Sequence, residues 1–276
     1  MAKSRNRRRS ASGKRHRTDS IKAVRNIAII VVLLGLVGTV YYRAIVANRT
    51  LNEETLCPVE VEGVTVVLVD VTDPMNTPQR QDFRNQLDLL LQQVGRYEKL
   101  VVVKVDPVGD ALLSPVITRC NPGSAADVSE WNGNPTKLER QHQTGFVSPM
   151  ENAFHELMEA SGASRSPVLE SVQSVALSEL QAPDLEGKKL RLIVASDLLQ
   201  NTDRVSFYSG LPDLDAFIDS QAFARVRTNL RGVDVELWML QRDDSQQTQP
   251  RALIDFWATI IEEQGGQVAR AYRVSG

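Results

Sequence analysis

Short runs of apolar and β-branched residues recur along the chain at 63–70, 99–105, 189–196 and 233–240, with a more mixed run at 267–274. Continuous runs of this length, without strict alternation, predict strands buried on both faces. Between them the spacing switches to helical. Phe83, Leu87, Leu90, Leu91 and Val94 share one face of a helix over 78–95, with Gly95 as its stop. Further helices are predicted at 149–161, 167–180, 213–229 and 250–264. The second of these is opened by Ser166 as N-cap, with Pro167 in the first turn and Glu170 near its start. Residues 107–147, with the turn formers Asn121-Pro122-Gly123 and Asn132-Gly133-Asn134-Pro135, read as an irregular stretch. Strands alternating with helices predict an α/β fold, Rossmann-like, with a mostly parallel sheet and helices on both faces.

One segment obeys neither pattern. Asn26 to Tyr42 carries no charge and is apolar all round, which predicts a helix that crosses a membrane over residues 26–47, with Arg43 snorkelling outward and Tyr41 and Tyr42 at the interface. The chain thus divides into a basic tail (1–25), a transmembrane helix (26–47), a polar stalk (48–62) and an α/β domain (63–276). The formal net charge of -2 conceals a sharp asymmetry. The tail holds ten Lys/Arg against the single Asp19, while the remainder has 22 basic and 33 acidic side chains. By the positive-inside rule the tail is cytoplasmic, at anionic lipid headgroups, and the domain is periplasmic or otherwise extracytoplasmic, anchored in the cell inner membrane. A cleavable signal peptide is the competing reading. It fits less well because no small-x-small site closes the segment: Ala47 is preceded by Ile45 at the paired position, and Ala44 by Tyr42.

Cys57 and Cys120 both fall in the extracytoplasmic part. An oxidising compartment makes a disulfide between them the expectation. Two unpaired thiols are the alternative, which Cys57-Pro58 and Cys120-Asn121-Pro122-Gly123, turn-like rather than apolar settings, disfavour. Neither cysteine belongs to a C-x-x-C pair, so zinc and thioredoxin-like chemistry are not indicated.

Candidate chemistry concentrates at strand ends. The first strand terminates in Asp70-Val71-Thr72-Asp73-Pro74 and a later one in Ser196-Asp197, placing oxygen ligands at the sheet edge where open α/β folds bind ligands. With Ser166 in Ser164-Arg165-Ser166-Pro167, this order resembles the von Willebrand factor A-like domain, over about residues 60–275. That family builds a metal-ion-dependent adhesion site from an Asp and two hydroxyl residues after strand one, a further hydroxyl residue, and a later Asp. Asp70 and Thr72 match the first element, Ser166 the second and Asp197 the third; Pro74 stands where the family has its second hydroxyl. The resemblance implies a divalent cation such as Mg²⁺ at Asp70, Thr72, Ser166 and Asp197, with Asp73 and Asn201 close by. It implies protein binding or complex assembly rather than turnover.

Other classes fare worse. His16, His142 and His155 lie far apart without H-E-x-x-H spacing, and neither a G-x-S-x-G elbow nor a G-x-x-x-x-G-K-[ST] loop occurs. The tail does not read as a nucleic-acid partner, because no aromatic residue interleaves the charges. A metal-dependent hydrolase on a related sheet and a metal-free structural subunit of an envelope complex are the alternatives to a membrane-anchored binding module. The topology reading is testable directly. A reporter fused to the C-terminus should behave as extracytoplasmic, and the chain should resist carbonate extraction; a soluble mature form beginning near residue 48 would establish a cleaved leader instead.

Overall fold

The computed structural model describes residues 12–47, 49–72, 74–106, 112–130, 133–159, 164–242 and 249–274; residues 1–11 of the basic tail and Asp73 lie outside the described residues. The chain divides into two units, Met1–Arg49 and Thr50–Gly276. The first contains helix α1 (Ser12–Ala47), which starts well before the predicted span and runs through much of the basic tail. Within it Lys22–Tyr42, 21 residues, is long and apolar enough to cross a membrane. At 1.5 Å per residue that segment reaches roughly 30 Å, the thickness of a bilayer core.

The second unit is built on a sheet of 6 strands, β1 (Gly63–Val69), β2 (Glu98–Lys104), β3 (Pro115–Cys120), β4 (Lys189–Ser196), β5 (Val233–Leu240) and β6 (Gln267–Val274), in the order β3-β2-β1-β4-β5-β6. All pairings are parallel except β2 with β3. Successive side chains of a strand point to opposite faces, so one strand feeds two cores. Val64, Val66 and Leu68 of β1 pack with α5 (Val168–Val175), α6 (Leu214–Ile218), α7 (Gln221–Val226) and α8 (Ala252–Glu262). Val67 and Val69 face α2 (Thr77–Gln93) and α4 (Ser148–Glu159), where Phe83 packs edge-on against Trp238 at 5.8 Å and tilted against Phe154 at 5.9 Å. The mostly parallel α/β sheet covered on both faces agrees with the sequence pattern.

Three details go beyond the sequence pattern. The stretch 107–147 contains an antiparallel edge strand, β3, and then α3 (Pro135–His142), which passes through a π-helical turn (Gln143–Val147) into α4. Asn134 caps α3 by accepting from Lys137 N at 2.9 Å, with Pro135 opening the helix. The predicted helix over 213–229 is two, because Ser220 accepts from Phe223 N at 3.1 Å and starts α7 afresh. The α5 helix likewise loosens into a π-helical turn over Ala176–Leu180.

Cys57 and Cys120 are joined by a disulfide, with Cα atoms 4.7 Å apart. Beside it Cys120 N donates to Thr55 O at 2.9 Å, so the segment before β1 is tied twice to the end of β3. The bond closes a loop across a sequence separation of 63. Restricting an unfolded chain over that length is worth about 4 kcal/mol. The Cys57→Ser, Cys120→Ser double variant should therefore unfold at distinctly lower urea concentration with its circular dichroism retained. An unchanged midpoint would mean that the bond constrains nothing the fold does not already fix.

Candidate functional site at the switch between strands β1 and β4

The direction of strand addition reverses between β1 and β4: β1 leads to β2 on one side, and β4 to β5 and β6 on the other. Loops diverge at such a point and leave a crevice beyond the carboxyl ends of the strands. Asp70 and Asp197 are the first residues past β1 and β4, so the ladder itself brings them to this crevice. Asp70 N extends the ladder by one bond, donating to Ala195 O at 2.8 Å.

A buried carboxylate must be compensated by donors or counter-charge. Asp70, 4% exposed, has four hydrogen bonds from three elements. Its Oδ1 accepts from Thr72 N at 3.0 Å and Thr72 Oγ1 at 2.7 Å. Its Oδ2 accepts from Ser166 Oγ at 2.6 Å and Ser196 Oγ at 2.9 Å. Three of the four residues expected from the sequence thus meet in one cluster. Ser166 is delivered by a two-way backbone pairing with Asn201, Ser166 N to Asn201 O at 2.9 Å and Asn201 N to Ser166 O at 2.8 Å. Asn201, expected beside the site, therefore places Ser166, while its own side chain donates to Ser164 O at 3.0 Å.

Asp197 lies on the same crevice but engages a different partner. Its Oδ1 accepts from Leu199 N at 2.9 Å, and its Oδ2 from Arg242 Nη1 at 2.7 Å. The loop that carries it is held against its own preferences. Leu198 has φ 63°, a left-handed conformation costly for a branched side chain. Ser196 Oγ accepts from Leu198 N at 2.9 Å, and Trp257 Nε1 donates to Leu198 O at 2.9 Å, fixing the turn from both sides. Gln249 Nε2 donates to Asp197 O at 2.9 Å and Leu240 O at 2.8 Å. Asp70, Thr72, Pro74, Met75, Asn76, Gln79, Asp197, Leu240, Gln241 and Arg242 enclose an open cleft of about 360 Å³. Asn76 and Gln79, on its rim, form a reciprocal cap at the start of α2.

Ser196, Arg242 and Gln249 were not singled out from the sequence. Ser196 had a signal, since it ends a buried strand next to the acid that was picked. Arg242 and Gln249 had none beyond their position after β5.

This arrangement is a poor fit to a divalent cation. Mg²⁺ requires about six oxygen ligands in near-octahedral geometry. Here the Thr72 and Ser166 hydroxyls are turned toward Asp70, Pro74 offers no hydroxyl, and the outer oxygen of Asp197 is taken by a guanidinium. An ion sharing that oxygen would lie within roughly 5 Å of Nη1 and meet a repulsion of about 7 kcal/mol even at an effective dielectric near 20. Among the described residues no group of three or more His, Cys, Asp or Glu is placed to hold a metal.

No family model matches the chain, and no curated protein matches its sequence. Among solved structures it is similar to an aerotolerance-related membrane protein from Bacteroides fragilis NCTC 9343, at 13% identity and a TM-score of 0.34, covering 78% of this chain and 92% of that one. It is also similar to the conserved hypothetical protein BatB from Bacteroides thetaiotaomicron, at 13% identity and a TM-score of 0.36, covering 78% and 90%.

The shared acceptor makes a graded prediction. Asp70→Ala removes all four bonds and leaves buried hydroxyls without their acceptor, and should cost about 3 kcal/mol of stability. Ser166→Ala removes one bond and should cost about 1 kcal/mol. Urea unfolding of the full chain in detergent, followed by tryptophan fluorescence, measures both; equal losses would show that Asp70 is not the hub of the cluster.

Proposed function

We propose that this is a single-pass membrane protein whose α/β unit is a von Willebrand factor A-like module for binding a protein partner or assembling a complex outside the cytoplasm. The observation that carries the reading is the convergence of Asp70, Thr72 and Ser166 at the strand-switch cleft, the place and residue order that the resemblance requires. The apolar span Lys22–Tyr42, preceded by a basic flank, supports anchoring with the tail inside and the domain in the periplasm. The tail would lie against anionic headgroups. Binding rather than turnover suits the cleft: its carboxylates are engaged by hydroxyls, backbone N–H groups and an arginine.

Site-specific photo-crosslinking in intact cells tests this. Pro74 is exposed on the rim of the cleft, whereas Val59, 92% exposed, lies before β1 and outside it. A photoreactive residue at position 74 should give a discrete protein adduct, identifiable by mass spectrometry, that one at position 59 does not. Indistinguishable adducts from both positions, or none from 74, would overturn the cleft as a docking site.

A further inference from the structure

We propose that Arg242 is the resident cation of the strand-switch cleft, so that the site is organised without a divalent metal. This deepens the binding-module reading and rests on it for the use of the cleft. The guanidinium is 2.7 Å from Asp197 Oδ2, and the pair is mostly withdrawn from solvent, with side chains 24% and 7% exposed for Arg242 and Asp197. At that separation, on the least exposed acid of the loop, the arginine supplies the positive charge that Asp197 needs in order to be buried and ionised.

Arg242 is itself fixed from several sides. Its Nη1 also donates to the Tyr208 hydroxyl, and its guanidinium stands over the Tyr208 ring at 5.2 Å from the centroid. Its backbone N donates to Gln249 Oε1 at 2.9 Å. Gln249 returns through Nε2 to the carbonyl of Asp197 at 2.9 Å. One buried amide therefore grips the backbone of both members of the ion pair. This is positioning by design of the loop rather than a chance surface contact, since Gln249 is 6% exposed and uses both its oxygen and its nitrogen for the purpose. The second acid, Asp70, is independently satisfied by four donors and needs no metal to be held in place.

The test uses the full chain in detergent and two readouts that do not depend on a partner. Paramagnetic resonance with Mn²⁺ as the probe should show no saturable binding up to millimolar concentration. In a thermal double-variant cycle, Arg242→Met should lower Tm by roughly 5 °C or more, because it takes the guanidinium away from a buried carboxylate. Asp197→Asn combined with Arg242→Met should recover most of that loss. Saturable Mn²⁺ binding that Asp197→Asn abolishes would overturn the proposal, as would strictly additive effects in the cycle. Either failure leaves the crosslinking result at position 74 untouched, so the two readings fall separately.

Discussion

Two acids past the ends of adjacent parallel strands must be compensated, and the way each is compensated organises everything around the cleft. Asp70 draws hydroxyls from the end of its own strand, from the end of β4 and from the loop before α5. It therefore fastens three segments far apart in sequence at one buried point. Each of those hydroxyls is positioned by other contacts, Ser196 by its strand and Ser166 by its pairing with Asn201. A buried network of this kind is specific because a displaced member leaves unpaired polar groups on its neighbours.

Asp197 solves the same problem with a charge. The described ionisable residues lining the cleft are Asp70, Asp197 and Arg242, a net charge of one negative. A divalent ion would reverse that sign, and the two cases select opposite partners. On the proposal that Arg242 takes the place of a metal, the cleft would have the wrong sign for a partner's carboxylate and the right sign for a basic or uncharged segment; Met75, Leu240 and the amides of Asn76, Gln79 and Gln241 border it. The hydroxyl missing at Pro74 and the arginine at 242 are consistent with one another on this view: both weaken a metal site, and the arginine replaces the charge that is lost.

The sheet was legible in the sequence because its central strands are buried on both faces and so written as unbroken apolar runs. β3 was not, since it is an edge strand with Pro115, Val116, Ile117 and Thr118 partly or fully exposed, and such strands need no apolar signature. The break between α6 and α7 was hidden because the interruption depends on Asp219 and Ser220, two polar residues that a surface helix could also have carried. Of the site, strand-end position pointed to Asp70, Thr72 and Asp197, which line the cleft, whereas Ser166, bonded to Asp70, was indicated only by the resemblance. Their division into a hydroxyl cluster and an ion pair was not readable, because it depends on Arg242 and Gln249, which reach the cleft only through the pairing of β5 with β4.

The length of β1 separates the cleft from the point where the chain enters the unit. Cys120 pairs with Lys99 at the start of β2, and Gly63 begins β1 opposite Glu98, so the disulfide and the entering segment lie at the amino edge of the sheet. Asp70 lies past the other end of β1, about 23 Å away at 3.3 Å per residue. A pull on the segment before β1 is therefore taken up by a covalent bond and the Thr55–Cys120 hydrogen bond before it reaches the strand. Asp70 and its hydroxyls lie beyond seven residues of buried, doubly paired β1, so the sheet on both sides of that strand, rather than the entering segment, sets the position of the cluster.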